Sequence, residues 1–170
     1  MTKLPIPDIM ERDIYAIKPD RLTARGVRFL FLDVDNTLMP YGDNASPPAL
    51  LHWVKTMKEG GLELFILSNN RGDRPAIFAK ALGLDFVGHA KKPNPKILLE
   101  VCRERGLESG ECALIGDQIY TDVLCAKRAG MLAVLVHPIR FSNPFLALRY
   151  GVELPFRIAG RIHLRKERIK

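Results

Sequence analysis

No stretch of the 170-residue chain approaches the run of about 20 apolar residues that a membrane-spanning helix needs. The N-terminus lacks a basic segment followed by an apolar core, so the expectation is a cytoplasmic chain without a secretion signal. Cysteine is scarce. Cys102, Cys112 and Cys125 are odd in number and lack Cys-x-x-Cys spacing, which argues against a disulfide framework and leaves reduced thiols packed as small apolar groups. Internal repeats and low-complexity tracts are absent, which leaves one ordinary domain large enough to bury about two-thirds of its unfolded surface without staples.

Acid is missing in one place. Residues 1–140 hold 19 Lys and Arg against 17 Asp and Glu, whereas residues 141–170 hold 7 against 2, so the tail supplies +5 of the net charge of +7. Such a tail is either a solvated end or the binding surface for an anionic partner.

What is present centres on Arg28-Phe29-Leu30-Phe31-Leu32-Asp33-Val34-Asp35-Asn36-Thr37-Leu38. Four apolar residues bounded by charge read as a strand buried on both faces, as in a parallel sheet. Asp33 then lies at the strand's carboxyl end, the edge where open α/β sheets bind ligands. Two carboxylates one residue apart lose hydration and repel one another there unless a cation or proton stands between them. Read singly, each is a turn residue or a helix cap.

Along the chain, residues 1–27 read as an N-terminal arm with a short helical stretch near Pro19 to Gly26, packed beside the first strand. Met39 to Ala45 is a loop, Ser46-Pro47 starts a helix with Ser46 as its cap, and Leu50, Trp53, Val54 and Met57 form its apolar face, widened by Leu51. Leu62 to Leu67 is a second strand ending in Ser68-Asn69-Asn70. Asp73 to Leu82 is a helix, Leu84 to Gly88 a short strand, and Asn94-Pro95 caps a helix to Arg105. Glu111 to Gly116 is a strand ending in Asp117, Thr121 caps a helix from Asp122 to Ala129, and Met131 to Val136 is a fifth strand. This alternation predicts a doubly wound parallel α/β sheet over residues 28–140, with every strand's carboxyl end on one edge. Asn143-Pro144 begins a further helix through Tyr150; beyond it the pattern does not choose.

The edge gathers Asp33, Asp35, Ser68, Lys92, Asp117 and Asp122. Phosphoryl transfer needs neutralised non-bridging oxygens and an aligned nucleophile. Asp33 and Asp117 suit a magnesium ion, which takes oxygen ligands and typically one or two carboxylates, while a Lys and a Ser hydroxyl hold the phosphate.

Asp33-Val34-Asp35-Asn36-Thr37, Ser68-Asn69, Lys92-Pro93 and Gly116-Asp117-Gln118-Ile119-Tyr120-Thr121-Asp122 resemble, in order, the four motifs of the haloacid dehalogenase (HAD) superfamily, over residues 28 to about 136. The first and fourth are similar, more narrowly, to subfamily IIIA, the YqeG family, whose members are similar to mitochondrial phosphatidylglycerophosphate phosphatases. The resemblance implies a three-layer Rossmann-like core and a magnesium-dependent phosphatase with an aspartyl-phosphate intermediate. It implies Asp33 as nucleophile and Asp35 as general acid and then base. Thr37, Ser68, Asn69 and Lys92 would serve the loop and the phosphoryl group. Asp33, Asp117 and the Asp35 carbonyl would hold Mg2+, with Asp122 behind them. Lys92 is preferred to Lys91 because the family's lysine directly precedes the proline. An Asp at position 35 is what the superfamily's phosphatases carry, which argues against dehalogenation.

Larger members of the family that the chain resembles insert a lid after the first motif or between the second and third; here only residues 38–45 and 68–92 lie there, so the resemblance implies no cap domain and an open site, which suits a large substrate on a surface. The resemblance favours phosphatidylglycerophosphate; a phosphoprotein, a nucleotide or a sugar phosphate is the alternative, and a non-catalytic binding protein using the basic tail is the alternative of another class. In residues 141–170, Arg157, Arg161, Arg165, Lys166, Arg168 and Lys170 lie among Phe156, Ile158, Ile162, Leu164 and Ile169, a pattern for peripheral contact with an anionic membrane. Gly160 argues against a clean amphipathic helix, and docking of Phe156, Ile158 and Ile162 onto the core is the alternative. Apart from Phe156 the tail lacks interleaved aromatics, which argues against nucleic acid. His89, His137, Asn70, Arg71 and Arg74 lie near the same strand ends without a motif role.

Overall fold

The structure, a computed structural model, describes residues 4–43, 46–141 and 144–167. Asn44, Ala45, Asn143, Arg168, Ile169 and Lys170, and the side chain of Lys166, lie outside what is described. Its strands are β1 (Ile9–Glu11), β2 (Phe29–Leu32), β3 (Glu63–Leu67), β4 (Asp85–Val87), β5 (Cys112–Gly116) and β6 (Leu132–Val136). All run parallel in one sheet, in the order β1-β6-β5-β2-β3-β4. The helices are α1 (Pro19–Thr23), α2 (Pro48–Glu59), α3 (Arg74–Leu82), α4 (Lys96–Glu104), α5 (Leu124–Ala129) and α6 (Pro144–Glu167).

The period-2 alternation of β2 sorts its side chains into two cores. Leu30 and Leu32 join Leu22, Leu50, Trp53, Val54, Met57 and Phe78 of α1, α2 and α3. Phe29 and Phe31 join Leu98, Val101, Cys125 and Ala126 of α4 and α5 on the other side. Helices on both faces of a parallel sheet make the three layers. The aromatic side is bound by edge contacts, with ring centroids 5.0 Å apart for Phe29–Phe31 and 5.8 Å for Phe31–Phe65. Chain order departs from β2 to β3 and β4 on one side, then returns to β5 and β6 on the other. The carboxyl end of β2 is therefore the topological switch point.

Several expectations are corrected. The arm packs beside β2 only through its helical part, where Leu22 meets Leu30 and Leu32; Ile9–Glu11 instead pairs with β6 at the far edge, where the Asp8 carboxylate accepts the Ala133 N–H at 2.8 Å and pairs with Lys127. Three residues are too few to show a strand's alternation. Helix α2 starts one residue later than expected, because Pro48 takes the first helical position, where its missing N–H costs nothing. Ser46 therefore caps nothing, and its hydroxyl is buried without a partner. Leu51 is exposed, since one step from Leu50 turns it about 100° off the core face. Thr121 caps no helix either; its hydroxyl donates to Gln118 Oε1 at 2.9 Å. The chain instead makes a wide turn over Ile119–Val123, closed by Val123 N–H to the Gln118 carbonyl at 3.1 Å, before α5 begins. None of the three cysteines is disulfide-bonded, and all are buried.

The largest departure is the basic tail. Helix α6 runs 24 residues, straight through Gly160. A side chain there would stand 2.9 Å from Met10 Sδ and 3.0 Å from Pro7, so glycine at this position lets the helix press against the N-terminal arm. Arg157, expected at a membrane surface, is 2% exposed and donates to Glu153 Oε2 at 2.8 Å and to the Asp117 carbonyl. Glu153 Oε1 accepts the Ile119 N–H at 3.0 Å, and Phe156 stands edge-on to Tyr120. Of the apolar residues expected to dock, Phe156 does, while Ile158 and Ile162 are exposed.

A buried ion pair broken on one side leaves an uncompensated charge, typically at about 3–5 kcal/mol. Arg157→Ala is expected to lower stability by that order, measured as a reduced denaturant midpoint, and truncation after Leu154 is expected to do the same.

Candidate active site

Asp33 extends β2 by one more ladder bond, its N–H donating to the Ile115 carbonyl at 3.0 Å. The chain then turns back sharply. The Val34 carbonyl accepts the N–H groups of Thr37, Leu38 and Met39, and Asn36 adopts φ 62°, a left-handed conformation that Asn tolerates better than most residues. The Asn36 side chain clamps this loop to residue 140, donating to the Arg140 carbonyl at 2.9 Å and accepting the Arg140 N–H at 3.3 Å.

The centre of the site is an ammonium between carboxylates. Lys92 Nζ donates to Asp33 Oδ1 at 2.7 Å and to Asp122 Oδ1 at 2.6 Å, and all three residues are buried. Thr37 Oγ1 donates to the other Asp33 oxygen at 3.1 Å, and the Gln118 N–H to the other Asp122 oxygen at 3.1 Å. Carboxylate oxygens of Asp33, Asp117 and Asp122 all lie within 4.8 Å of one another. Asp117 is 1% exposed, its Oδ1 has no hydrogen-bond partner among the described residues, and Oδ2 lies 3.9 Å from Arg149. A buried, unsatisfied carboxylate oxygen beside a second carboxylate, with only oxygen donors around it, fits a hard divalent cation.

Burial dominates the electrostatics. It pushes Asp33 up to about 7, against the pull of the Lys92 charge and helped by Asp122 and Asp35. Burial likewise holds Asp117 well above the usual carboxylate range, with Asp122 and Asp33 adding to it. For Lys92 burial opposes the charge, but Asp122 and Asp33 outweigh it and raise the ammonium above its ordinary value. Tyr41 is raised too, by burial and then by Asp117, Asp33 and Asp35, which puts it at the mouth of the site.

The structure brings together Asp33, Asp35, Thr37, Ser68, Lys92, Asp117 and Asp122. Ser68 Oγ is buried and accepts the Asn70 N–H at 3.1 Å, which leaves its own O–H to donate. Asn69 does something other than hold substrate: its amide donates to the Lys92 carbonyl at 3.0 Å and accepts the Lys92 N–H at 2.8 Å, so it positions the lysine. Lys91 is exposed, whereas Lys92 is buried with the carboxylates. Asp122 stands within the carboxylate trio with both oxygens already engaged, and so braces Lys92. Asn70 and Arg74 reach Asp35 instead of open space: Asn70 Nδ2 lies 3.4 Å from Oδ2, and Arg74 Nε 3.3 Å from Oδ1 but off the line of a hydrogen bond. Arg71 is exposed. His89 lends its backbone to the Asn70 carbonyl, and His137 stands on the α6 side. Arg149, Glu153 and Arg157 were missed; the one available signal was that Glu153 is the sole acid between Val123 and Lys166 and sits four residues before an arginine.

A carboxylate pair, an ammonium and a free hydroxyl at the switch point of a parallel sheet are equipment for handling phosphate esters. The HAD-hydrolase-like family model matches residues 89–138. The chain is 35% identical over 162 residues to the Bacillus subtilis (strain 168) protein named "Probable phosphatase YqeG", covering 95% of this chain and 94% of that one. It is 29% identical over 151 residues to phosphatidylglycerophosphate phosphatase 1, chloroplastic/mitochondrial, of Arabidopsis thaliana, covering 83% of this chain. It spans 43% of that plant protein's length. The solved structure of a 4-nitrophenylphosphatase from Thermotoga maritima aligns with a TM-score of 0.56 at 14% identity, covering 69% of this chain and 89% of that one, which shows a common fold. The chain belongs to the HAD-like hydrolases, as a phosphomonoester phosphatase of the YqeG family.

Two measurements probe the site. A Cβ at Gly116 would lie 2.2 Å from Asp122 Cγ, so Gly116→Ala is expected to push Asp122 off Lys92 and to lower kcat by about 100-fold, as misplacement of about an ångström does. A carboxyl group raised from 3.8 to about 7 on folding binds its proton more tightly in the folded state, so its stabilising contribution is full below 3.8 and is lost as pH rises to about 7. In chelator, denaturant midpoints are expected to fall across that window, and the fall is expected to be shallower in Asp33→Asn.

Proposed function

We propose that the chain hydrolyses a phosphomonoester through phospho-Asp33 with magnesium as cofactor, and that its substrate is phosphatidylglycerophosphate, converted to phosphatidylglycerol. The observation that carries the chemistry is the Lys92 ammonium shared by Asp33 and Asp122 beside the orphaned Asp117 Oδ1. Asp33, Asp117 and the Asp35 carbonyl would hold the ion, which when bound neutralises charge on the phosphoryl oxygens. An Asp33 carboxylate oxygen attacks phosphorus and the bond to the leaving alcohol breaks, with Asp35 giving that oxygen its proton. Asp35 then takes a proton from the water that attacks the phospho-Asp33 phosphorus, and the Asp33–phosphate bond breaks. Lys92 and the Ser68 hydroxyl hold the non-bridging oxygens throughout. Asn70 and Arg74, both on Asp35, orient it between its two roles.

The substrate reading draws support from the similarity to the plant phosphatidylglycerophosphate phosphatase and from the lightly covered site. A loop joins β2 to α2, and α3 alone joins β3 to β4. A further support is the outer surface of α6. The helix turns Glu153 and Arg157 toward the sheet and leaves Phe145 (71% exposed), Leu148 (67%), Val152, Ile158 and Ile162 outward. Exposed apolar side chains gathered on one helix suit a contact surface, and no described helix is long and apolar enough to cross a membrane. The helix itself is basic: along α6 stand Arg149, Arg157, Arg161, Arg165 and Lys166 against Glu153 and Glu167. A second copy would set these charges against themselves, whereas an anionic bilayer accepts both the charges and the apolar face.

Asp33→Asn is expected to abolish phosphate release while leaving the protein folded, and chelation is expected to abolish release until Mg2+ is restored. Substantial residual turnover in either case would overturn the nucleophile or the metal. Phosphatidylglycerophosphate in mixed micelles should be preferred to soluble phosphoproteins, nucleotides and sugar phosphates. Leu148→Glu with Val152→Glu should release the protein from anionic vesicles while sparing hydrolysis of 4-nitrophenyl phosphate.

A further inference from the structure

Between β1, β6 and α6 lies a cavity of about 380 Å³ that hydrolysis at Asp33 does not use. Arg12 lines it just past β1, His137 just past β6, and Arg157, Arg161 and Arg165 from one face of α6, where they recur every four residues. The nearby acids are already engaged: Glu11 with Arg21, Asp13 with Arg12, and Glu153 with Arg157. Arg161 and Arg165 have no ion pair among the described residues.

Arg157 forms the inner wall. It is 2% exposed, its Nη2 is taken up by Glu153 and the Asp117 carbonyl, and its guanidinium lies 4.2 Å over the Tyr150 ring, so its charge stands fixed beside the cavity. The imidazole of His137 offers no negative charge: Nδ1 lies 3.4 Å from the Tyr150 hydroxyl and Nε2 3.3 Å from Arg161 Nη2. Burial, then Arg157 and Arg161, hold it below its ordinary value. Cations therefore converge on space that contains no available anion.

Guanidinium forks match the tetrahedral oxygens of phosphate in paired hydrogen bonds. The volume exceeds that of a bare phosphate and falls in the range of small-molecule sites. We propose that this cavity is a second anion site, separate from the phosphoryl site at Asp33, which takes a phosphate group carried on an organic residue through Arg12, His137, Arg157, Arg161 and Arg165. Because Arg157 also holds the Asp117 carbonyl, the two sites are one side chain apart.

The test follows the His137 ring signals by NMR in the full chain, assigned with His137→Gln. One arm adds phenylphosphonate, which carries the tetrahedral anion and cannot be hydrolysed. The other adds phosphatidylcholine vesicles containing phosphatidic acid. Saturable movement of the His137 signals is expected, with binding weakened by about tenfold or more in the Arg161→Ala, Arg165→Ala double variant. Hydrolysis of 4-nitrophenyl phosphate by that variant should be unchanged. A response to the vesicles alone assigns the phosphate to a lipid headgroup, and a response to phenylphosphonate alone to a soluble ester; each supports the site. No response of His137 in either arm, or an equal response in the double variant, would overturn it. Neither reading depends on turnover, so failure here is distinct from failure at Asp33.

Discussion

The ammonium of Lys92, buried between Asp33 and Asp122, is the interaction on which the rest of the site depends. Three carboxylates gathered at one strand edge with almost no solvent would repel one another and abandon their charge. One lysine cannot neutralise three acids, so the cluster remains an acceptor for cation, and the upward push of burial and neighbouring carboxylates on Asp33 is the same deficit in another form. Removing any partner from such a group leaves the others buried and unpaired, which is why the surrounding chain spends so many contacts on fixing it. Asn69 holds the lysine's backbone, Thr37 and the Gln118 N–H hold the far oxygens of the two acids, and Gly116 lets Asp122 lie against the strand.

These contacts come from four separate strand ends, and a parallel sheet is what makes their meeting possible. Each connection returns the chain to the same edge, so residues as far apart as Asp33, Ser68, Lys92 and Asp117 converge without any local sequence relation. The wide turn at Ile119–Val123 is part of this arrangement. An ordinary helix start would have carried Asp122 away from Lys92; the extra residue in the turn brings it back.

Helix α6 departs from the usual distribution of polarity. A helix on a soluble domain buries its apolar stripe and shows its charges. Here Glu153 and Arg157 are turned inward beside Leu146 and Phe156, where they satisfy the Ile119 N–H and the Asp117 carbonyl, and Phe145, Leu148, Val152, Ile158 and Ile162 are left outside. The loop after β5 thus obtains polar partners from the tail, and the molecule obtains an apolar outer face beside basic side chains. Both consequences follow from one buried ion pair.

The sequence by itself determined the sheet, the order of its main elements and which polar residues meet at its edge. Those signals are local: a doubly buried strand is a run of apolar residues, a helix is a spacing, and a motif is a few neighbours. Asp33, Asp35, Ser68, Lys92 and Asp117 were legible because each stands at the end of such a run. Only the tertiary structure decided the rest. Whether Asn69 touches substrate or Lys92, whether Arg74 reaches Asp35, and which face α6 shows to water depend on pairings between residues tens of positions apart, whose energies belong to the pair. Arg157 shows the reason most plainly. In a basic, apolar tail it is indistinguishable from Arg161 or Arg165, and what buries it is Glu153 together with an unpaired carbonyl on a distant strand end. The short edge strand Ile9–Glu11 is the same case in backbone form, held by the hydrogen bonds of β6 and by no pattern of its own.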